Sequence, residues 1–316
     1  MGTIIAAMAS SHAYTFLEPK EWDSRREFTR SNYKKRFGVE PPDQPQVAEE
    51  TLEGNETRYK RIRDGLKFLR DKVLALRPDV LIVIGDDQNE NFLENNLPQF
   101  AIYLGKEFVA ADRAGRTGHR YRCDAEAAWT ILEQSVEAGI DLAYSTSFPN
   151  DHLISHAHRE PLEYLGLDGA VSIVPIFINA IHVPAPTPAR CYQFGRTLKE
   201  IIAALPADKR VVVYASGGLS HFSAGYPWTH YKGPCTLGAI CHDFDRKIVD
   251  LMRQGQGEEL ASLSSKDLIQ NGEIELRQWI TLLGVIGKSK PELLVYEPFY
   301  RGLLGMAVGW WDLAAA

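Results

Sequence analysis

The run Asp79-Val-Leu-Ile-Val-Ile84, followed closely by the polar cluster Asp86-Asp-Gln88, decides the fold class of this chain. An unbroken, β-branched apolar run is typical of a parallel strand that is buried on both faces. Two more runs have this form: residues 171–178 end at Asn179, and residues 210–215 lead into Ser216-Gly-Gly-Leu-Ser-His221. Three such strands predict an α/β protein whose polar tips meet at one edge of the sheet.

Helical patterns lie between and around these strands. Apolar residues recur every three or four positions from 58 to 76, and further helices are predicted near 124–138, 187–205, 242–254 and 274–285. This alternation predicts a mixed, mostly parallel central sheet covered by helices on both faces. We expect residues 1–316 to form a single catalytic domain, with the polar, proline-containing segment 17–57 as a surface excursion or cap.

The composition excludes several classes of protein. The chain has 316 residues, a net charge of −6, 24% charged and 45% hydrophobic residues, which are ordinary values for a folded globular protein. No concentrated basic stripe favours nucleic acid, and no run approaches the roughly 18 apolar residues of a membrane span. We expect a cytoplasmic protein, most simply a homodimer. The four cysteines match no zinc motif and are interpreted as buried free thiols, at positions Cys123, Cys191, Cys235 and Cys241.

Two histidines follow predicted strands, where α/β enzymes keep their sites. His12 comes after the apolar run at 3–8, and His221 follows the Gly217-Gly218 turn. A lone histidine is more often structural, but two at strand exits are a stronger signal. Glu275 opens the helix predicted at 274–285, where acidic side chains are also favoured for helix stability alone.

These residues belong to a collinear series of motifs through which the chain resembles the class III extradiol ring-cleavage dioxygenases, the family of the protocatechuate 4,5-dioxygenase catalytic subunit. The series runs through Ser10-Ser-His12, Tyr59-Lys-Arg-Ile-Arg-Asp64, Asp86-Asp-Gln88, Leu97-Pro-Gln-Phe-Ala-Ile102, Asp151-His152, Ile178-Asn179, Pro184-Ala-Pro186, Gly217-Gly-Leu-Ser-His221 and Glu275-Leu-Arg-Gln-Trp279. No single motif is diagnostic, but their common order extends over nearly the whole chain.

The resemblance implies a non-haem Fe(II) enzyme that opens a catecholic aromatic ring with O2. By position, His12 and Glu275 would be metal ligands, and Gln88 stands where the family has its third ligand, a histidine. His221 would transfer protons, a task that suits an imidazole near neutral pH.

Other positions follow from the same resemblance. His152 matches a second catalytic histidine that lines the pocket. Asn179 and Ser220 would contact substrate, although a turn-capping asparagine explains Asn179 equally well.

The altered ligand position leaves alternatives open. The amide oxygen of Gln88 is one possible donor to the metal. Extra imidazoles from a polar loop and nearby carboxylates are others, namely His156, His158, Asp86, Asp87 and Glu90. Alternative hypotheses are a zinc- or manganese-dependent hydrolase or lyase on the same fold, and a non-catalytic binding relative.

Overall fold

A mixed eight-stranded sheet forms the centre of the protein. We describe it from a computed structural model that covers residues 1–12, 17–41, 43–93, 95–110, 118–148, 153–167, 169, 171–206, 208–221 and 240–314. The strands are β1 (Thr3–Ser10), β2 (Val80–Gly85), β3 (Phe100–Tyr103), β4 (Glu107–Ala110), β5 (His119–Arg122), β6 (Ala143–Ser145), β7 (Ser172–Ile178), β8 (Arg210–Ser216), β9 (Leu293–Phe299) and β10 (Leu304–Asp312). The helices are α1 (Trp22–Phe37), α2 (Gln46–Glu49), α3 (Leu52–Leu76), α4 (Ala125–Glu137), α5 (His156–Leu165), α6 (Pro188–Ala204), α7 (His242–Gln254), α8 (Ser265–Gln270) and α9 (Leu276–Ile286).

The strand order of the sheet is β6-β3-β7-β2-β8-β1-β10-β9. Its four central strands, from β7 to β1, run parallel. Antiparallel pairings attach β3 on one side and the β10-β9 hairpin on the other. A separate two-stranded sheet pairs β4 with β5. The predicted fold class, a single α/β domain with a mixed and mostly parallel sheet, is confirmed.

Both faces of the sheet are buried under helices. On β2, Ile82 belongs to the apolar core on the α6 and α9 side, and Val83 belongs to the core on the α3 side. Each such fully buried side chain contributes roughly 1.5–3 kcal/mol relative to an exposed one, so the two cores hold the central strands rigidly in place. The strand exits therefore offer a firm support for a site.

The segment 17–57 contains the 16-residue helix α1, the four-residue helix α2 and the start of the long helix α3. Trp22 in α1 is fully buried, with its ring centroid 5.4 Å from that of Tyr59 and 4.8 Å from that of Phe299. The helix predicted from residue 58 begins earlier because the Thr51 side chain accepts a hydrogen bond from the Gly54 amide and caps it. The capping role of segment 17–57 over the pocket stays a prediction.

Two regions differ from the sequence interpretation. A polar loop was expected around His156 and His158. This expectation is wrong, because α5 begins at His156 and His158 is fully buried. No strand was predicted in the aromatic stretch near the C-terminus, but it forms β9 and β10, with Trp310 and Trp311 fully buried. Cys123 and Cys191 are buried free thiols and Cys241 is half-buried, while Cys235 lies outside the described residues. Within the described residues, every helix is too short or too polar to cross a membrane.

Candidate metal centre

Three neighbouring parallel strands end at the same edge of the sheet and deliver polar groups there. His12 follows β1 by two residues, Asp86 follows β2 directly, and the Gly217-Gly218 turn follows β8. Because β2, β8 and β1 are adjacent and parallel, their carboxyl ends meet. Glu275 reaches the same place from the residue that precedes α9.

His12, Asp86 and Glu275 form a cluster that is able to hold a metal ion. Each offers one ligand atom, and these atoms lie within 4.8 Å of one another. The Nε2 atom of His12 is 3.9 Å from Oε2 of Glu275, and all three residues are buried. Two ligand atoms at about 2.0–2.2 Å from one ion are at most about 4.4 Å apart, so a shift of a few tenths of an ångström lets them share a cation.

The hydrogen bond between His12 and Ser216 fixes which ring nitrogen of His12 carries the proton. The single hydroxyl proton of Ser216 is donated to the Ala157 carbonyl. The Ser216 oxygen, 3.1 Å from Nδ1 of His12, therefore accepts a hydrogen bond from that nitrogen. The unprotonated nitrogen is then Nε2, which faces Glu275, and the Ser216 bond sets the orientation of the ring.

Burial and mutual charge perturb the cluster strongly. Burial lowers the pKa of His12 to about 4, although Glu275 opposes the shift. Burial and the nearby Glu275 carboxylate raise the pKa of Asp86 well above its usual value. Burial alone would raise the pKa of Glu275, but His221 and His12 outweigh it and the net pKa is lowered.

The donor set fits a divalent cation. One imidazole and two carboxylates are ligands that such cations accept, and two adjacent buried carboxylates need positive charge between them. In addition, Oδ1 of Asp86 is buried and has no hydrogen-bond partner among the described residues. An unsatisfied buried carboxylate oxygen is costly unless something binds it.

The double-glycine turn allows the backbone to approach Glu275. The Gly218 amide donates a 2.9 Å hydrogen bond to Oε2 of Glu275. Gly217 has a φ of +144°, and a Cβ atom added to it would lie only 3.0 Å from Cβ and from Oε2 of Glu275. Only glycine fits there without strain, so the turn after β8 is shaped around the carboxylate.

His221 lies against the same carboxylate. Its Nε2 atom is 3.3 Å from Oε1 of Glu275, and its Nδ1 atom is 2.9 Å from the Leu219 carbonyl oxygen. Burial lowers the pKa of His221, but the Glu275 carboxylate and the Leu219 carbonyl outweigh it and raise the pKa to about 9. The structure thus brings His12, His221 and Glu275 together, three residues chosen from distant parts of the sequence.

Gln88 is at the rim of the cluster. Its amide nitrogen donates to Oε1 of Glu275 at 2.9 Å and to Oδ2 of Asp86 at 3.2 Å. The side chain therefore reaches the site, but through its donor end. Its role as a metal ligand stays a prediction.

Ser220 belongs to a buried network behind His221. Its amide and hydroxyl donate to Asp245 at 3.2 and 2.7 Å, and its hydroxyl accepts from the Cys241 amide. Tyr296 donates to the same Asp245 carboxylate at 2.5 Å. This arrangement favours a role in holding the loop, and direct contact of Ser220 with substrate stays a prediction.

Two predicted site residues remain, Asn179 and His152. The structure gives little support for a catalytic or substrate-binding role of either. Asn179 closes a turn, with its amide oxygen accepting from the His182 amide and its amide nitrogen donating to the His182 carbonyl, both at 2.9 Å. That geometry favours the turn-capping interpretation, and substrate contact by Asn179 stays a prediction. His152 lies outside the described residues.

A second ion pair borders the cluster. His156 lies 2.6 Å from Glu90 through Nδ1, and its ring is 4.9 Å from that of His12. Burial opposes both charges, but their mutual attraction prevails: the pKa of His156 is raised to about 10 and that of Glu90 is lowered to about 2. His158 bonds instead to Ser155 and the Ile176 carbonyl.

Sequence reasoning missed Ser216 and Asp245 and named Asp86 only among several alternatives. The available signal was position, because Ser216 and Asp86 stand at the exits of predicted strands. Asp245, in α7, carried no such signal.

Comparison with known proteins defines the family. Residues 43–309 match the family model described as the catalytic LigB subunit of aromatic ring-opening dioxygenase, and the chain belongs to this family. It is similar to proteins named 2,3-dihydroxyphenylpropionate/2,3-dihydroxicinnamic acid 1,2-dioxygenase. The relative from Klebsiella pneumoniae is 30% identical over 75% of this chain and 86% of its own length, and that from Mycolicibacterium smegmatis is 24% identical over 79% and 89%.

A crystal structure of an uncharacterized protein from Escherichia coli K12 has the same fold. The TM-score is 0.51 at 13% identity, and the match covers 97% of this chain and 99% of that one.

Proposed function

We propose that this protein is a non-haem, Fe(II)-dependent extradiol-type dioxygenase that opens a catecholic aromatic ring with O2. The observation that carries the proposal is the convergence of His12, Glu275 and His221 on one buried cluster, with Glu275 lying 3.9 Å from His12 and 3.3 Å from His221. Membership of the ring-opening dioxygenase family and the names of its relatives support it.

His12 and Glu275 would hold the ion. Bound Fe(II) would supply the redox chemistry by which dioxygen reacts with an aromatic diol. The burial of the ligands excludes water from their side of the site and strengthens every charge interaction there.

His221 is placed to manage protons. The Glu275 carboxylate is the main reason that the pKa of His221 is raised. When a cation neutralises that carboxylate, the pKa of His221 falls, and Nε2 is then better able to accept a proton from a substrate hydroxyl near neutral pH.

An anaerobic iron reconstitution followed by oxygen-electrode assays tests the proposal. The panel would contain catechol, gallate, protocatechuate and 2,3-dihydroxyphenylpropionate, the last because it appears in the names of the relatives. We expect one O2 consumed per diol, with both atoms of 18O2 recovered in a ring-opened product. Bound iron without oxygen uptake on any diol would refute it, and stoichiometric zinc with hydrolytic turnover would favour a hydrolase instead.

A further inference from the structure

The orientation of Gln88 shows that this side chain acts as a hydrogen-bond donor in the site. Its amide nitrogen lies between two carboxylates, 2.9 Å from Oε1 of Glu275 and 3.2 Å from Oδ2 of Asp86. Carboxylates only accept hydrogen bonds, so the amide must present its NH2 group to them. Its oxygen, the atom of a glutamine that binds metal, is consequently directed away from both.

Asp86, in contrast to Gln88, has a carboxylate oxygen that could still bind a cation. The residue is fully buried and directly follows β2. Its Oδ2 atom accepts from Gln88, whereas Oδ1 has no hydrogen-bond partner among the described residues. A ligand atom of Asp86 lies within 4.8 Å of those of His12 and Glu275.

We propose that Asp86 is the third protein ligand of the metal, beside His12 and Glu275. Gln88 then positions the two carboxylate ligands through its amide hydrogens. This inference rests on the proposed function only for the identity of the ion, because the ligand set itself is argued from geometry.

A second carboxylate ligand sets the charge and the chemical preference of the site. A divalent ion with two carboxylates and one neutral imidazole has no net charge, which lowers the cost of burying it. A set with two oxygen donors and one nitrogen donor is also harder than one with two imidazoles. The set with two carboxylates should therefore prefer Fe(II) or Mn(II) over softer ions more strongly than a set with two imidazoles would.

The other nearby candidates are engaged elsewhere. The side chain of Asp87 accepts hydrogen bonds from the backbone amides of Glu90, Asn91 and Phe92 and so closes the turn after β2. The Oε1 atom of Glu90 pairs with both the backbone amide and Nδ1 of His156. Asp86 is the carboxylate in this segment that has a ligand atom within 4.8 Å of those of His12 and Glu275, and its Oδ1 accepts no hydrogen bond from the described residues.

The test measures metal binding without turnover. Mn(II) and anaerobic Fe(II) would be titrated calorimetrically into the metal-free full chain and into D86N, Q88A and the control D124N. Asp124 is also largely buried and ion-paired, with Lys209, but its backbone bonds to Ile173 near the start of β7, at the opposite edge of the sheet. D124N therefore reports on general destabilisation.

We expect D86N to lose at least about a hundredfold in affinity, as for removal of a ligand. Q88A should lose about tenfold, as for removal of a group that orients ligands, and D124N should bind normally. Wild-type affinity in D86N together with a hundredfold loss in Q88A would overturn the proposal in favour of Gln88. If D86N does not fold, Q88A alone decides: a loss of affinity of about tenfold supports Asp86, and a loss of about a hundredfold or more refutes the proposal.

Pulsed electron paramagnetic resonance of the Mn(II)-loaded wild type gives a second readout. We expect coupling to one imidazole nitrogen, that of His12. Coupling to two imidazoles would overturn the proposal. Metal binding with the expected ligands but no oxygen uptake would refute the proposed function alone, whereas a wild type that binds neither ion refutes both.

Discussion

The Nε2 atom of His221 lies 3.3 Å from Oε1 of Glu275, so the predicted proton-transfer group is in direct contact with a predicted metal ligand. A proton held by His221 and a cation held by Glu275 compete for the same negative charge. Metal binding and proton transfer are thereby linked through one carboxylate.

Replacing His221 by glutamine should separate chemistry from metal binding. Glutamine retains a polar side chain but has no titratable group, and loss of a general acid or base typically costs about 10²–10⁴-fold in rate. We expect kcat to fall by that factor while the bound metal per chain stays constant. His119→Gln, at an exposed position on β5, is the matched control and should leave kcat unchanged. Full activity in H221Q would remove His221 from the reaction.

Replacing Gln88 by histidine should tighten metal binding. Residue 88 already reaches Glu275, so an imidazole there is able to join the ligands, and imidazole is a stronger donor to Fe(II) than a carboxamide. We expect the dissociation constant for Fe(II) to fall by about tenfold in anaerobic titrations. Gln254→His adds an exposed histidine on α7 and controls for adventitious binding. Weaker binding in Q88H would mean that the amide hydrogens of Gln88 matter more than the extra ligand.

Removing the Tyr296 hydroxyl should loosen the support of the His221 loop. Tyr296 donates to Asp245, which in turn holds the amide and hydroxyl of Ser220. Loss of a hydrogen bond to a carboxylate costs about 1.5–3 kcal/mol. We expect Y296F to lower the free energy of unfolding by that amount in urea denaturation. Tyr144→Phe, at a side chain that is 60% exposed, should change it by less than about 0.5 kcal/mol. Equal effects of the two substitutions would contradict the network.

Alanine at Gly217 should damage the metal site as well as the fold. The new Cβ atom would lie 3.0 Å from the Glu275 side chain, on a backbone with φ of +144°. Gly139 also has positive φ, +79°, but a Cβ atom there meets nothing within 4 Å. Both substitutions carry a backbone cost of about 1–3 kcal/mol. Only Gly217→Ala should also weaken metal binding, measured by calorimetry. Unchanged metal affinity in G217A would show that Glu275 tolerates displacement.

Much of the fold was predictable from local pattern. The apolar runs that became β2, β7 and β8 are continuous and β-branched, and buried parallel strands require that composition. The short strands β3 and β6 were not recognised, because three or four residues carry too little periodicity to distinguish a strand from a loop. The helix at His156 was also missed, since polar residues dominate its first turn.

The fold class, the family motifs and the residues His12, His221 and Glu275 could all be read from the amino-acid sequence, because they depend on local composition and on order along the chain. Which side chains contact one another became evident from the three-dimensional arrangement alone. Asp86 rather than its neighbours turns its carboxylate toward His12 and Glu275, and Gln88 presents its amide nitrogen to them. Such choices depend on side-chain direction and on contacts between residues nearly two hundred positions apart, which no local pattern encodes.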